Sequence, residues 1–389
     1  MKKQPFILIM MIAIAGIVII NSCEKDDKNC IPHVITSNWS SDGGTTWISS
    51  FNPSIVTGKT LQIEAGPDSG MWSWTGPNGF TASNRQIELS NVTIDMAGGY
   101  VATNTSDEGC TSIDTFTILV NSGEYKVAYF AFDATPVDQE RKSLINFTDN
   151  ANVVVVFEGK LWELADSAHY GNSNSYILKS NGGVYKYYSQ IIDDIHTLRA
   201  RGIKVLMNVD DSEAWLTKTP FGEYSAINYI QFADSVAKWC AMVPFDGIAL
   251  DVEHFFGPVN NDYINLIREF GKYFGPRSLN PNGMIYTAAI YSGAVAGDAI
   301  GKDPENSSYF NFVMDMGYFS NNTYRFTQYS NAIGAARVMD GMSHQYNALS
   351  DAISHVNWMK SVGGAGIMVF AANVNKSYTD AIFAAVDEK

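Results

Sequence analysis

Near Ser122-Gly123-Glu124 the hydrophobic grammar of the chain changes, and the two sides of that change demand different architectures. Upstream, apolar and polar residues alternate with period two. Leu61 and Ile63 alternate with Gln62 and Glu64, Ile87 and Leu89 with Gln86 and Glu88, and Phe116, Ile118 and Val120 share one parity. Such strands bury one face each and have to pack on a second sheet. Turn signals at Asp42-Gly43-Gly44, Pro67-Asp68-Ser69-Gly70 and Gly76-Pro77-Asn78-Gly79 punctuate them. Residues 30–121 are therefore predicted to form a small all-β sandwich. Downstream, short apolar runs alternate with helical spacing. Strands are expected at Tyr125–Phe132, Asn152–Phe157, Ile203–Val209, Phe245–Val252, Met284–Tyr291, Tyr309–Tyr318, Val338–Met342 and Ile367–Ala371. Helices are expected at Tyr187–Arg201, Ile227–Cys240, Tyr263–Phe274 and Ala348–Val362. Runs buried on both faces and separated by helices demand parallel pairing under helical cover. The fold class is α/β: residues 124–389 fit a (β/α)8 TIM barrel. A doubly wound open sheet is the competing architecture, weakened because no GxGxxG follows the first strand.

Residues 1–22 stand outside this scheme. Lys2 and Lys3 precede an apolar run from Phe6 to Ile20, the pattern of an export signal. The following Asn21-Ser22-Cys23 resembles a bacterial lipoprotein signal, with diacylglyceryl addition at Cys23, although Asn21 fits less well than Ile20 and Ser22. An uncleaved anchor helix is the alternative. Residues 23–29 read as an acidic tether, similar to the surface-export signal of Bacteroidetes lipoproteins. The resemblance implies a lipid-anchored, surface-exposed protein of the bacterial outer membrane. Export permits disulfides. Cys30 and Cys110 bracket the first module and are the candidate pair, while Cys240 reads as a buried small hydrophobe. The formal charge of −14 excludes a phosphate-tracking nucleic-acid surface and leaves carbohydrate open. No CxxC, HExxH, Walker or GxSxG motif is present, so neither a metal nor a cofactor is expected.

Within the first module, Trp72-Ser73-Trp74-Thr75-Gly76-Pro77-Asn78-Gly79-Phe80 and Asp95-Met96-Ala97-Gly98-Gly99-Tyr100 resemble segments of bacterial immunoglobulin-like modules. That resemblance implies a tyrosine-corner role for Tyr100 and a spacer or accessory-binding role for the module. Trp74 reads as core. Trp72 reads as structural, with sugar stacking as the alternative if it is exposed.

The chemistry concentrates in Phe245-Asp246-Gly247-Ile248-Ala249-Leu250-Asp251-Val252-Glu253-His254. Side chains alternate faces along a strand, so Ala249, Asp251 and Glu253 share one side and Ile248, Leu250 and Val252 the other. Two carboxylates then point the same way at the C-terminal end of a buried strand, where barrel enzymes place their sites. Like charges at short range resist simultaneous ionisation, which leaves one carboxyl able to act as an acid. A salt-bridge cluster or a cation site is the alternative reading.

The stretch resembles the DGxDxDxE signature of glycoside hydrolase family 18, which contains chitinases and endo-β-N-acetylglucosaminidases. The resemblance implies a catalytic acid/base at Glu253 and, at Asp251, a group that orients the substrate's acetamido. The middle Asp of the signature is Ala249 here, a departure expected to slow turnover or shift its pH profile. Val313-Met314-Asp315-Met316-Gly317-Tyr318 resembles the family's sixth-strand segment, which implies that Tyr318 contacts the acetamido carbonyl. Phe319 stands where chitinases carry Asp, and Phe370, in Gly363–Phe370, stands where a Trp commonly floors the sugar subsite. Both departures favour a branch other than chitinase. Tyr129, Asn208, Asp210, Asp211, Trp215, Tyr291 and Asn373 are further cleft candidates from strand ends. The implied reaction is retaining and substrate-assisted, and the implied partners are N-glycans on glycoproteins or released GlcNAc-containing oligosaccharides. The expected activity is hydrolysis of the GlcNAcβ1–4GlcNAc core linkage of N-glycans. A chitinase or other endo-hexosaminidase, and a non-catalytic glycan-binding lipoprotein, are the alternatives.

Overall fold

A computed structural model of the chain describes residues 31–132, 144–157, 176–178, 184–210, 229–253, 261–279, 283–291, 295–319 and 322–388. In the first module, strands β1 (Thr36–Ser40), β3 (Leu61–Gly66) and β6 (Gln86–Leu89) form one sheet. A second sheet contains β2 (Ser54–Val56), β8 (Thr111–Asn121), β7 (Gly98–Thr105), β4 (Met71–Thr75) and β5 (Thr81–Ala82), in that order. Period-two alternation explains the pairing of the layers. Leu61, Ile63, Ile87 and Leu89 from one sheet meet Trp74, Tyr100, Phe116 and Ile118 from the other in one buried cluster. The Tyr100 hydroxyl donates to the Met96 carbonyl at 3.1 Å. Trp72 is buried, stacked against Trp74 with ring centroids 6.3 Å apart, so it serves the core and the sugar-stacking alternative is corrected. Cys110 is disulfide-bonded, whereas Cys23 and Cys30 lie outside the described residues.

All eight strands expected of the second half form: β9 (Tyr125–Ala131), β10 (Val153–Phe157), β13 (Lys204–Asp210), β14 (Gly247–Val252), β15 (Ile285–Ile290), β16 (Phe312–Asp315), β17 (Val338–Ser343) and β18 (Gly366–Phe370). A hairpin of β11 (Tyr176–Leu178) and β12 (Val184–Tyr187) interrupts the alternation. The eight strands close into an all-parallel barrel, β18 pairing with β9, which excludes the open sheet. Around it lie α1 (Tyr188–Ala200), α2 (Tyr229–Met242), α3 (Asn261–Phe270), α4 (Val295–Gly301), α5 (Pro304–Ser307), α6 (Asn322–Ile333), α7 (Leu349–Val362) and α8 (Lys376–Asp387). Strand parity sorts two cores. Val154, Val156, Val205, Ile248, Leu250 and Val252 pack outward under the helices. Val127, Tyr129, Val155, Leu206, Ala249, Ala289, Phe312, Met314 and Met339 fill the barrel. Cys240 is buried in the outer core, and burial pushes its thiol pKa far up, as expected of an inert small hydrophobe.

The base of β14 is fixed by its first residue and the one before it. Asp246 is nearly buried and accepts from the Val205 N–H at 3.0 Å, Arg199 Nε at 3.1 Å and Lys204 Nζ at 3.3 Å. Gly247 follows at φ +149°, where a Cβ would stand 2.0 Å from the Ile285 carbonyl oxygen. The sandwich docks at this same N-terminal end of the barrel. Asn121 Nδ2, at the end of β8, donates to the Ala336 and Asn311 carbonyls, which precede β17 and β16. The Ser54 hydroxyl donates to the Ile333 carbonyl at 3.2 Å. At the opposite end of β8, the Ser112 hydroxyl donates to the carbonyl of His33, among the first described residues. Gly247→Ala is expected to cost about 3 kcal/mol or more, because strain and a backbone clash add. Gly202→Ala, at φ +82° with nothing within 4 Å of its Cβ, should cost only about 1–2 kcal/mol. Thermal melting of both variants checks the contrast.

Candidate active site at the C-terminal mouth of the barrel

The mouth is built around β14. Register sets Asp210, Asp251 and Ala289 side by side, with Asn208, Ala249 and Thr287 one layer below. Ala249 is wholly buried inside the barrel, so the pleat directs Asp251 inward as well. Glu253 is the first residue beyond the strand and is half-buried. Both carboxylates act on the same two inner phenols. Burial raises the pKa of Tyr318, and the charges of Glu253 and Asp251 raise it further. Burial likewise lifts Tyr129 well above its usual range, helped by Asp251, Tyr318 and Glu253. Tyr318 therefore stays neutral, an O–H donor, throughout any physiological pH range.

Tyr318 does not belong to a strand, contrary to the expected span Tyr309–Tyr318. Pairing stops at Asp315, the Met316 N–H still reaches the Ile290 carbonyl at 2.9 Å, and Gly317–Phe319 turns as a 3₁₀ segment. Space for the ring comes from Gly341 on β17, where a Cβ would lie 3.1 Å from Tyr318 Cδ1 and 2.7 Å from the Asp315 carbonyl oxygen. Behind the turn is a buried charge cluster. Asp315 and Asp340 are cross-strand neighbours on the outer face of β16 and β17, both fully buried. Arg325 of α6 pairs with Asp315 and donates to the Ile290 carbonyl at 3.3 Å. His355 of α7 sits 2.6 Å from Asp340, whose pKa is raised by burial and opposed by His355 and Arg325.

The remaining expected residues divide. Phe370 is partly exposed, stacked on Tyr318 with centroids 5.4 Å apart and planes 10° apart. Tyr291, half-buried, meets Phe319 edge to face at 5.8 Å. Asn208 lies inside the barrel beside Ala249, its Oδ1 buried without a hydrogen-bond partner among the described residues. Tyr129 is 2% exposed, so it forms the floor beneath Phe157 and Phe370 and does not line open cleft. Its hydroxyl also has no hydrogen-bond partner among the described residues. Asn373 is corrected. Its amide is spent on the backbone of Ala131, accepting from the N–H and donating to the carbonyl at 3.0 Å each, and it is wholly buried. It clasps the end of β9 and offers nothing to a sugar. Asp210 is placed by register alone, and Asp211 and Trp215 lie outside the described residues. Among the described residues no group of three or more His, Cys, Asp or Glu is arranged to hold a metal. Sequence reasoning passed over Tyr346, whose ring stacks on Tyr318 at 5.9 Å from a turn after β17. It has no strand parity to announce it.

With this geometry in view, residues 180–368 match the TIM-barrel domain of EndoS, an endo-β-N-acetylglucosaminidase. The matched span includes Asp251, Glu253 and Tyr318. Among solved structures, YKL-39, described in the presence of chitooligosaccharides, is 10% identical over 68% of this chain and 100% of that one, with a TM-score of 0.50. A GH18 chitinase from Pseudoalteromonas aurantia is 15% identical over 67% of this chain and 99% of its own, at 0.44. Chitinase ChiW of Paenibacillus sp. is 11% identical over 93% of this chain, which spans 57% of that protein, at 0.49. At such identities these likenesses concern the fold alone. The span matched to EndoS leaves out β9 and β10, the first two strands of the barrel. Arg325→Leu would strand Asp315 as a buried carboxylate, while Asp340 keeps His355. It is expected to destabilise the barrel by about 3–5 kcal/mol, with Arg325→Leu/Asp315→Asn recovering part of the loss in a melting experiment.

Proposed function

We propose that the protein is an endo-β-N-acetylglucosaminidase that hydrolyses the GlcNAcβ1–4GlcNAc linkage in the core of N-glycans. The observation that carries this reading is the convergence of Asp251 and Glu253 on the neutral phenol of Tyr318 at the barrel mouth. The match to an EndoS barrel supports it further.

In this mechanism Glu253 donates its proton to the glycosidic oxygen as the C1–O bond breaks. The electron pair that replaces that bond comes from the substrate's own 2-acetamido oxygen, giving an oxazolinium ion, so one acid suffices where two-carboxylate glycosidases need a pair. Asp251 holds the acetamido in attacking orientation and balances the positive charge that develops on it. The Tyr318 hydroxyl donates to the acetamido oxygen. Glu253, now a carboxylate, takes a proton from water, which opens the ring from the opposite face, and the product keeps the substrate's configuration. Fixed groups aimed at developing charge are worth several kcal/mol in a site that excludes water, on the order of 3 for one well-placed donor.

The all-β module is proposed to be an immunoglobulin-like spacer, in keeping with the Tyr100–Met96 hydrogen bond. Cys23 is proposed as the lipidated anchor of an outer-membrane, surface-exposed protein. A non-catalytic glycan binder is the second reading, favoured by one observation: Ala249 replaces a carboxylate with a methyl group inside the barrel.

Glu253→Gln is expected to lose about 10²- to 10⁴-fold in turnover while melting like the unaltered protein. The assay is release of free glycan from a high-mannose and a complex-type glycoprotein, one GlcNAc remaining on the protein, with chitin oligomers run in parallel. Turnover that survives the substitution rejects the assigned acid, and glycan binding without any cleavage supports the second reading. Ala249→Asp is expected to raise turnover or move its pH profile. A flat result on both counts shows that this position is silent.

A further inference from the structure

Aromatic rings do not stop at the catalytic cleft. Tyr318 lies nearly parallel to Phe370 on the inner side, and its ring is also stacked, at 21°, with Tyr346. Phe319 meets Tyr346 edge to face at 4.7 Å and contacts both Tyr318 and Tyr291. The rings become more exposed along this path. Tyr318 is 5% exposed, whereas Phe319 is 46% and Tyr346 53% exposed. A continuous aromatic surface therefore runs from beside Asp251 and Glu253 out onto the rim.

Exposed apolar side chains that form one contiguous patch mark binding sites where scattered ones do not, and here Phe319 and Tyr346 touch each other over a backbone held in place. The Tyr346 and Asn347 N–H groups both donate to the Ser343 carbonyl, at 3.0 and 2.9 Å. The Asn347 side chain accepts from the Ser343 N–H at 2.9 Å, and the Gln345 N–H reaches the Ser343 hydroxyl at 3.3 Å. Ser343, the last residue of β17, is fully buried. Phe319 is held as the last residue of the 3₁₀ turn. A surface built this way binds without first having to be ordered, which raises affinity for a flat partner. The flat apolar partner available next to a glycosidase acid is the C–H face of a pyranose ring.

We propose that Tyr346 and Phe319 form a stacking platform for an uncharged hexose of the glycan, at least one sugar away from the bond that is cut. The inference rests on the glycosidase reading for its substrate class. An uncharged sugar is specified because Asp251 and Glu253 border the inner end of the platform, and the chain carries −14 overall. A carboxylated sugar would meet repulsion from both. Tyr346 also backs the ring of Tyr318, so its two contributions have to be separated by substrate length.

The experiment compares kcat/KM on a neutral high-mannose oligosaccharide and on an aryl glycoside of di-N-acetylchitobiose. In Tyr346→Ala the ratio of the two values is expected to fall about two- to tenfold, the range for loss of one aromatic stacking partner. Tyr346→Trp should restore the ratio and Tyr346→Leu should not. Phe319→Ala should lower it in the same direction, and a sialylated oligosaccharide should respond less than the neutral one. A ratio that stays constant, whether both substrates slow together or neither does, overturns the platform. If the unaltered protein cleaves neither substrate, the catalytic reading has failed by itself. Calorimetric binding of the same high-mannose oligosaccharide then decides: weaker binding by Tyr346→Ala sustains the platform, and equal binding removes it.

Discussion

Parallel pairing on both sides leaves β14 no freedom to slip. Its base is held by Asp246 against β13 and by the bare Gly247 against β15, and its outer residues Ile248, Leu250 and Val252 are committed to the helical layer. A shift of one residue would move every inward side chain to the outer face. Asp251 and Glu253 would then sit among aliphatic side chains, where a charge is costly. The placement of the chemical groups is thus a by-product of the hydrophobic demand that the strand be buried twice. The same demand explains why the site is small in sequence: one strand and the residue after it supply two carboxylates, and the barrel supplies the walls.

Much of this could be read from residues alone because it follows from periodicity. Eight continuous apolar runs announce strands buried on both faces, and the parity of Ala249, Asp251 and Glu253 and the sandwich core at Leu61, Ile63, Ile87 and Leu89 express period two. What escaped belongs to segments without a period. Helix α6, Asn322–Ile333, is mostly polar on its surface, so its pattern is faint, yet it brings the Arg325 that neutralises Asp315. Tyr318 was assigned to a strand that ends three residues earlier, because an apolar run continues through a turn that only the Gly341 gap makes possible. Asn373 looked like a donor to sugar, since an amide after a strand end has no local feature distinguishing a free group from one clasping another strand. Trp72 alternated correctly with Trp74 along β4, and pairing with β7 placed both indoles inside.

The charge cluster behind the mouth shows how a turn can be stiffened from the rear. Asp315 and Asp340 face away from the cleft, but they occupy the two strands whose ends carry Tyr318 and Tyr346. Arg325 ties Asp315 to Ile290, the residue before Tyr291. Tyr291 and Tyr318 are therefore mounted on strand ends cross-linked by one guanidinium, and Tyr346 follows a strand whose Asp340 is held by His355. Pairs of this kind are poor sources of net stability and good sources of a unique arrangement, which is the quality a stacking surface needs.

The order of parts along the chain is also their order in space. His33 and Asn121 mark opposite ends of β8, about 30 Å apart at the usual rise of an extended strand. Asn121 then meets the closed end of the barrel, and the carboxylates open at the other end. Were the chain tethered through its leading residues, as proposed for Cys23, the sandwich would be a stalk and the barrel mouth its outward tip. On the proposed reading such a molecule would meet glycans arriving from the surroundings and be poorly aimed at sugars rooted in its own membrane.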